Sequence, residues 1–354
     1  MKHLFTMTTF AVLLACASIG LRADVVGRPE TASSAAMFDA ASGVLSGMVS
    51  SVEQTGEVSG NWYGRSVRLA VFTATVLVDR VYKGDPLSVS AEGTYQRPTG
   101  TSCSVSKCVN LVLGEYGLFF LTISPDGYRL LDGLYSPFEI SRLNSTTHRP
   151  GITGLELDLE AGLRDPNENT LLDNIDLIGG LEHVNSVSPL MDLLASSRSE
   201  TVRAAVYVAL LRLQNYHQLE KSLLFAESPA DPSQPNFGIK DQIYDLVTVI
   251  HDPATAAILI TFSHSKSKRL REAVIHALRE IGGAEAVPVL VGALDDPVQM
   301  IRYDAVLGLA AIVQDWKLAP SVDTFLADQS KYINAWKSWW LETGKATYDR
   351  VPQP

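Results

Sequence analysis

Asp295-Asp296-Pro297-Val298-Gln299-Met300-Ile301-Arg302-Tyr303-Asp304-Ala305-Val306-Leu307-Gly308-Leu309 is the stretch whose reading decides the fold. An acidic pair ahead of proline is turn and helix-start chemistry, because proline suits the first helical turn, where its missing N–H breaks no bond. Beyond it, Ile301, Ala305, Gly308 and Leu309 recur at helical spacing, so a helix with one apolar stripe opens here. The window recurs upstream as Val202-Arg203-Ala204-Ala205-Val206, Ile239-Lys240-Asp241-Gln242-Ile243 and Leu270-Arg271-Glu272-Ala273-Val274. Its basic residues, Arg203, Lys240, Arg271 and Arg302, stand 37, 31 and 31 positions apart. A second apolar stretch precedes each window, at 189–195, 219–226, 254–262 and 286–294. A helix pair repeated every ~30–47 residues is a solenoid unit, since one pair cannot bury its apolar face without neighbours. Downstream, Trp336, Trp339 and Trp340 share one helical stripe and are expected to cap the open end of the stack.

Upstream of residue 168 the period changes. Val44, Met48, Val49 and Val52 lie in one run, and Val67 to Val78 form a longer one rich in β-branched residues. Leu87-Ser88-Val89, Leu118-Phe119-Phe120-Leu121 and Tyr128-Arg129-Leu130-Leu131 follow, separated by Lys83-Gly84-Asp85-Pro86, Leu113-Gly114-Glu115 and Pro125-Asp126-Gly127. Short apolar runs between such turns predict a small antiparallel sheet closed into a barrel, which hides its own edges. The expected chain is therefore multidomain α and β: lead-in 24–42, β-barrel 43–141, linker 142–167 with a short helical lead-in, α-solenoid 168–345 and tail 346–354.

Residues 1–23 read as an export signal. Lys2 opens the segment, an uncharged run from Leu4 to Leu21 is densest at Phe10–Cys16, and small residues precede Arg22-Ala23-Asp24. The run is short for a span and carries several Thr and Ser, so no membrane-spanning helix is expected in the mature chain. Cleavage after Ala17 or after Ala23 both fit, and Leu13-Leu14-Ala15-Cys16 resembles a bacterial lipobox, which would place a lipid anchor on Cys16. The expected location is periplasmic or extracellular. The chain has 29 Lys+Arg against 39 Asp+Glu, a net charge of −10, and most of the excess lies in the second half. That balance excludes nucleic acid as the main partner, because phosphate binding needs clustered cations, and it favours a basic protein partner.

The repeats resemble the HEAT-like repeats first noted around phycobilin lyases, over about 185–313. The resemblance rests on the Asp295 to Leu309 window, with Arg203 and Arg271 in the slot of Arg302 and Lys240 as a departure. It implies a binding surface, with the repeat arginines bonding neighbouring turns. Residues 36–141 resemble the netrin-like and tissue-inhibitor-of-metalloproteinase-like domains, an OB-type barrel. Phe38 to Val49, Val76 to Asp85 and Gly114 to Phe120 carry that likeness. Those inhibitors chelate zinc through a Cys-x-Cys start, and no Cys-x-Cys occurs in this sequence.

Chemistry-bearing motifs are few. Cys103 and Cys108 are expected to pair as a disulfide in an exported chain, since a two-cysteine metal site would need further ligands and no histidine lies between them. Ser104-Val105-Ser106-Lys107 spells Ser-x-x-Lys but lacks the partner motifs of serine acyl-transferases. His183, His217 and His251 stand 34 residues apart twice. Stacked helices lie ~8–10 Å apart, too far for neighbouring rungs to share one metal ion. No metal, cofactor or catalytic residue is expected. The sequence thus predicts a non-catalytic binding or scaffold protein, with a peptidase inhibitor acting through the barrel and a bilin lyase-like enzyme as alternatives.

Overall fold

In the computed structural model, the described residues are 33–62, 65–85, 90–99, 111–124, 127–130, 138–143, 149–228 and 237–349. The signal segment, Cys16, Leu87–Val89, Cys103 and Cys108 lie outside them.

Six strands form one sheet: β1 (Gly43–Trp62), β2 (Arg65–Lys83), β3 (Ser90–Pro98), β4 (Tyr116–Ser124), β5 (Gly127–Leu130) and β6 (Phe138–Glu139). β1 pairs with β2 along one edge and, over Gly43–Met48, with β4 along the other. β3 then joins β2 antiparallel and β5 parallel, and β5 returns to β4. Irregularities in the β1–β2 register at Val44/Leu45, Ser46/Gly47, Val49/Ser51 and Gln54/Gly56 bend β1 enough to serve both neighbours. Gly47 sits among them because a Cβ there would collide with the Leu77 carbonyl oxygen. β3 is too polar (Ser90-Ala91-Glu92-Gly93-Thr94) to stand out as a run of apolar residues, which is why the sequence pattern passes over it.

The run Leu118-Phe119-Phe120-Leu121 is apolar at every position because β4 is covered on both faces. Phe119 and Leu121 enter the sheet's own core with Leu45, Val49, Phe72 and Tyr95. Leu118 and Phe120 point the other way, into a core shared with the helices.

Those helices are α1 (Ser34–Ala40), α2 (Ile152–Gly162), α3 (Glu168–Leu181), α4 (Val187–Ser196), α5 (Glu200–Arg212), α6 (Leu219–Glu227) and α7 (Phe237–Thr248). After them come α8 (Ala256–Thr261), α9 (Lys268–Ile281), α10 (Val287–Ala293), α11 (Gln299–Val313), α12 (Val322–Ala327), α13 (Gln329–Trp339) and α14 (Lys345–Tyr348). From α2 to α13 they pack as antiparallel pairs, and the second helices α3, α5, α7, α9, α11 and α13 stack in turn on one another. The result is an α-solenoid following a sheet. Helices α3, α5 and α11 are followed by the left-handed residues Glu182, Gln214 and Gln314, and α9 by Gly282, each before a short 3-10 turn into the next pair.

The stack begins earlier than the change of period suggests. Within 142–167, read as a linker with a helical lead-in, α2 is the first helix of a pair with α3. It sends Leu155 and Leu159 into the shared core, where they meet Met37, Phe38, Val44, Leu118, Phe120, Ile175 and Ile178. Helix α3 exposes none of its residues from 170 to 181 because it is enclosed, by the sheet and α1 on one side and by α5 on the other. Gly179 lets it approach α5 closely, since a Cβ there would lie 2.8 Å from the Cα of Ala209. Further along, one continuous apolar cluster runs from Val208 to Trp336, so each repeat completes the core of its neighbour. Among the described residues, no helix is long and apolar enough to cross a membrane.

Candidate functional site

The repeat-defining cations stand at the starts of the second helices. Ser199 and Ser267 accept hydrogen bonds from the N–H groups of Val202 and Leu270, capping α5 and α9. Four residues after each cap, the guanidinium of Arg203 or Arg271 reaches back to the carbonyl oxygen of Ser197 or Ser265, at 3.3 and 2.8 Å. Arg302 does the same to the Asp296 carbonyl at 2.6 Å. Two of these arginines also reach forward to the next repeat. Arg271 donates to the Asp296 carboxylate at 2.8 Å and Arg302 to Gln329 Oε1 at 2.8 Å. Burial pushes Asp296 upward, but the Arg271 hydrogen bond, the Val298 N–H and the charges of Arg271 and Arg302 hold it below the usual carboxylate range. Lys240 fills the slot differently. Its ammonium donates to Ser228 O and Oγ at 2.6 and 2.7 Å and lies over the Phe225 ring, and burial lowers its pKa. These cations stitch turns together.

A charge-assisted bond of this kind is worth about 1.5–3 kcal/mol. Arg271→Ala is expected to lower stability by about that amount, more than Arg271→Lys, in urea denaturation, because Lys cannot bond the Ser265 carbonyl and the Asp296 carboxylate in one planar fork.

A second ladder of half-buried charges links the stacked second helices. Arg212 on α5 donates to Asp176 on α3 at 2.7 Å and to Gln242 on α7 at 3.3 Å. Arg269 on α9 pairs with Asp241 and Asp245 on α7 and covers the Tyr244 ring. Arg279 on α9 donates to Asp304 on α11 at 2.5 Å, and His276 Nδ1 lies 3.5 Å from the same carboxylate. The Asp304 contact raises the His276 pKa against burial and the Arg279 charge, with Glu280 acting in the same direction as Asp304. A raised folded value means that the stabilisation is complete below the unfolded pKa, about 6.5, and is lost as pH rises through the folded value. Wild type is therefore expected to lose melting temperature over that window relative to His276→Gln, which lacks the titrating ring.

The sheet joins the repeats through charge as well as core. Arg80 on β2 donates through Nη1 to both carboxylate oxygens of Asp158 on α2 at 2.8 Å, and through Nη2 to the Leu143 carbonyl at 3.2 Å. Tyr82 donates to Asp158 Oδ2 at 2.9 Å, and burial pushes its phenol far above the usual range. Two positions earlier on α2, Glu156 is buried against His183 Nδ1 at 3.0 Å and accepts from Ser186 Oγ at 2.8 Å. His183 thus bonds α2, while His217 and His251 stand exposed at the later turns. Among the described residues no group of three or more His, Cys, Asp or Glu could hold a metal ion.

At the far end Trp336 is fully buried. Trp339 stands edge-on to it with centroids 5.3 Å apart, and Trp340 and Tyr348 pack around Trp339. The first residues of the 346–354 tail therefore belong to the packed end.

Residues 235–310 match the family model for HEAT repeats. That segment is similar to HEAT repeats. Among solved structures, the complex of CpcE and CpcF of phycocyanin lyase from Nostoc sp. PCC7120 is similar at 19% identity, over 49% of this chain and 71% of that one, with a TM-score of 0.33. None of the curated proteins matches the chain. The interlocking of sheet and repeats by Arg80 and Asp158 had no sequence signal, because the partners stand 78 positions apart in segments of different period.

Proposed function

We propose that this chain is an exported, non-catalytic scaffold protein that docks a protein partner, basic in character, on the surface of its HEAT repeats. The observation that carries the reading is the continuous stack of second helices, which offers an extended surface on a rigid shared core. Repeats of this family generally act as interaction surfaces, and such surfaces recognise partners by shape and charge. The N-terminal sheet is read as an OB-type, netrin-like barrel that covers the first end of the stack. Its pairing order, which leaves β1 for β2 and comes back to β1 through β4, supports closure. Export rests on residues 1–23, and the pairing of Cys103 with Cys108 follows from it.

Cross-linking of the full chain in the cell tests docking. Partners should be captured by wild type and lost on charge reversal at an exposed carboxylate of the repeat surface, tested at Asp192 on α4 and at Asp245 on α7. Capture indifferent to every substitution on the repeat surface would remove the reading. N-terminal sequencing tests export: a mature chain starting at Ser18 or Asp24, or blocked at a lipidated Cys16, is expected, and a chain retaining Met1 would refute it.

A further inference from the structure

We propose that the groove between α2 and α4 is a docking site for a cationic amphipathic helix of a partner protein; the inference rests on the docking role above and names a face and a chemistry for it. Helix α2 commits each of its sides. Leu155 and Leu159 enter the core and Asp158 locks to the sheet, whereas Leu157, between them in sequence, stays 43% exposed. Leu157 lines an open groove of about 460 Å³ whose apolar surface continues through Pro189 and Leu193 of α4. That volume lies within the roughly 300–1,000 Å³ typical of ligand pockets.

Charge selects the occupant. Glu160 and Asp192 line the groove on opposite helices, and no described cation pairs with either; Glu160 shares the one Ser186 hydroxyl proton with Glu156, each carboxylate 2.8 Å from Oγ. Arg164, just past the end of α2, is the cation among the lining residues, and the partner's own cations belong toward Asp192 and Glu160, away from it. The second-helix ladder differs, because there Arg212, Arg269 and Arg279 already neutralise Asp176, Asp241 and Asp304. A basic partner would have to displace those arginines, whereas in the groove it meets carboxylates with no cation on them. Helix α2 has 11 residues, about 16 Å at 1.5 Å per residue, which seats roughly three turns of a partner helix with anchors at i, i+3 or i+4, and i+7.

The test is fluorescence anisotropy of the full chain with a labelled synthetic helix bearing Leu at the anchor positions and Lys elsewhere, beside the same peptide with Glu for Lys. The Lys peptide is expected to bind and the Glu peptide not. Asp192→Lys and Leu157→Lys should each weaken binding by about tenfold or more. Glu342→Lys changes the net charge as much as Asp192→Lys, at the other end of the molecule, and should leave binding unchanged. Equal weakening by Glu342→Lys, or no binding of the Lys peptide, overturns the proposal. Binding untouched by Asp192→Lys but lost on Asp245→Arg overturns the groove while leaving docking on the repeats in place. Partner capture by the full chain that no repeat-surface substitution affects removes both.

Discussion

Arg80→Ala is expected to destabilise the whole chain by about 3–5 kcal/mol, the usual cost of leaving one half of a buried ion pair alone. The Arg80 side chain is 5% exposed and Asp158 14%, so water cannot replace the lost guanidinium. Asp158 would keep the Tyr82 hydroxyl, which hydrogen-bonds the carboxylate but does not neutralise it. Asp158→Ala should cost a similar amount, because it removes the carboxylate that neutralises the buried Arg80 guanidinium. Replacing both residues with apolar ones of like size (Arg80→Met with Asp158→Leu) should recover much of the loss, because no uncompensated charge remains. The measurement is urea denaturation followed by circular dichroism at the helical band, with hydrogen exchange of the β1, β2 and β4 amides as the probe of the sheet. If sheet and repeats form one unit, the two probes lose stability together in Arg80→Ala. Separate transitions, with the helical signal unmoved, would show that the junction contributes nothing to the stack.

Trp336→Ala is expected to cost about 3–5 kcal/mol, the range for deleting a large buried aromatic side chain. Trp336 is fully buried at the last step of the repeat core, where Leu309, Phe325 and Tyr332 belong to the same cluster. The loss should be local in the first instance. In a stack of nearest-neighbour units, removing the end contact frays the terminal repeat before it reaches the middle. Hydrogen exchange should therefore speed up across α11 and α13, with α3 and α5 protected as before. Trp336→Phe, which keeps an aromatic ring in the cluster, should retain most of the protection. Uniform loss along all helices would instead mark the repeats as one all-or-none unit.

Much of this architecture was legible in the residues. The repeated basic residue at Arg203, Arg271 and Arg302 marks the same helical position three times, because each must follow its helix start by the same number of residues to reach the preceding turn. The turn chemistry of Asp295-Asp296-Pro297 and the period of 3.6 after residue 168 follow from the same local physics. The groove, by contrast, was invisible. Leu155 and Leu159, four apart, share a helix face and Leu157 falls on the opposite one, but nothing in the order of letters says that Pro189 and Leu193 of α4 stand beside it. The apolar run at Leu118–Leu121 announced a buried strand without saying that its two faces serve two different cores.

What the sequence alone determined about this protein is local and periodic: where helices start, that they come in pairs, that a β-rich unit precedes them, and that acidic residues outnumber basic ones. These depend on neighbours within a few positions along the chain, and such neighbours are always present. The tertiary structure decided which elements share a core and which carboxylates keep a charge without a partner. Arg80 finds Asp158 across 78 positions, Arg271 finds Asp296 in the following repeat, and Asp192 finds no cation among the described residues. Pairings of that range depend on how whole layers pack, and layers that pack through nonspecific apolar contact leave no mark of their register in the sequence.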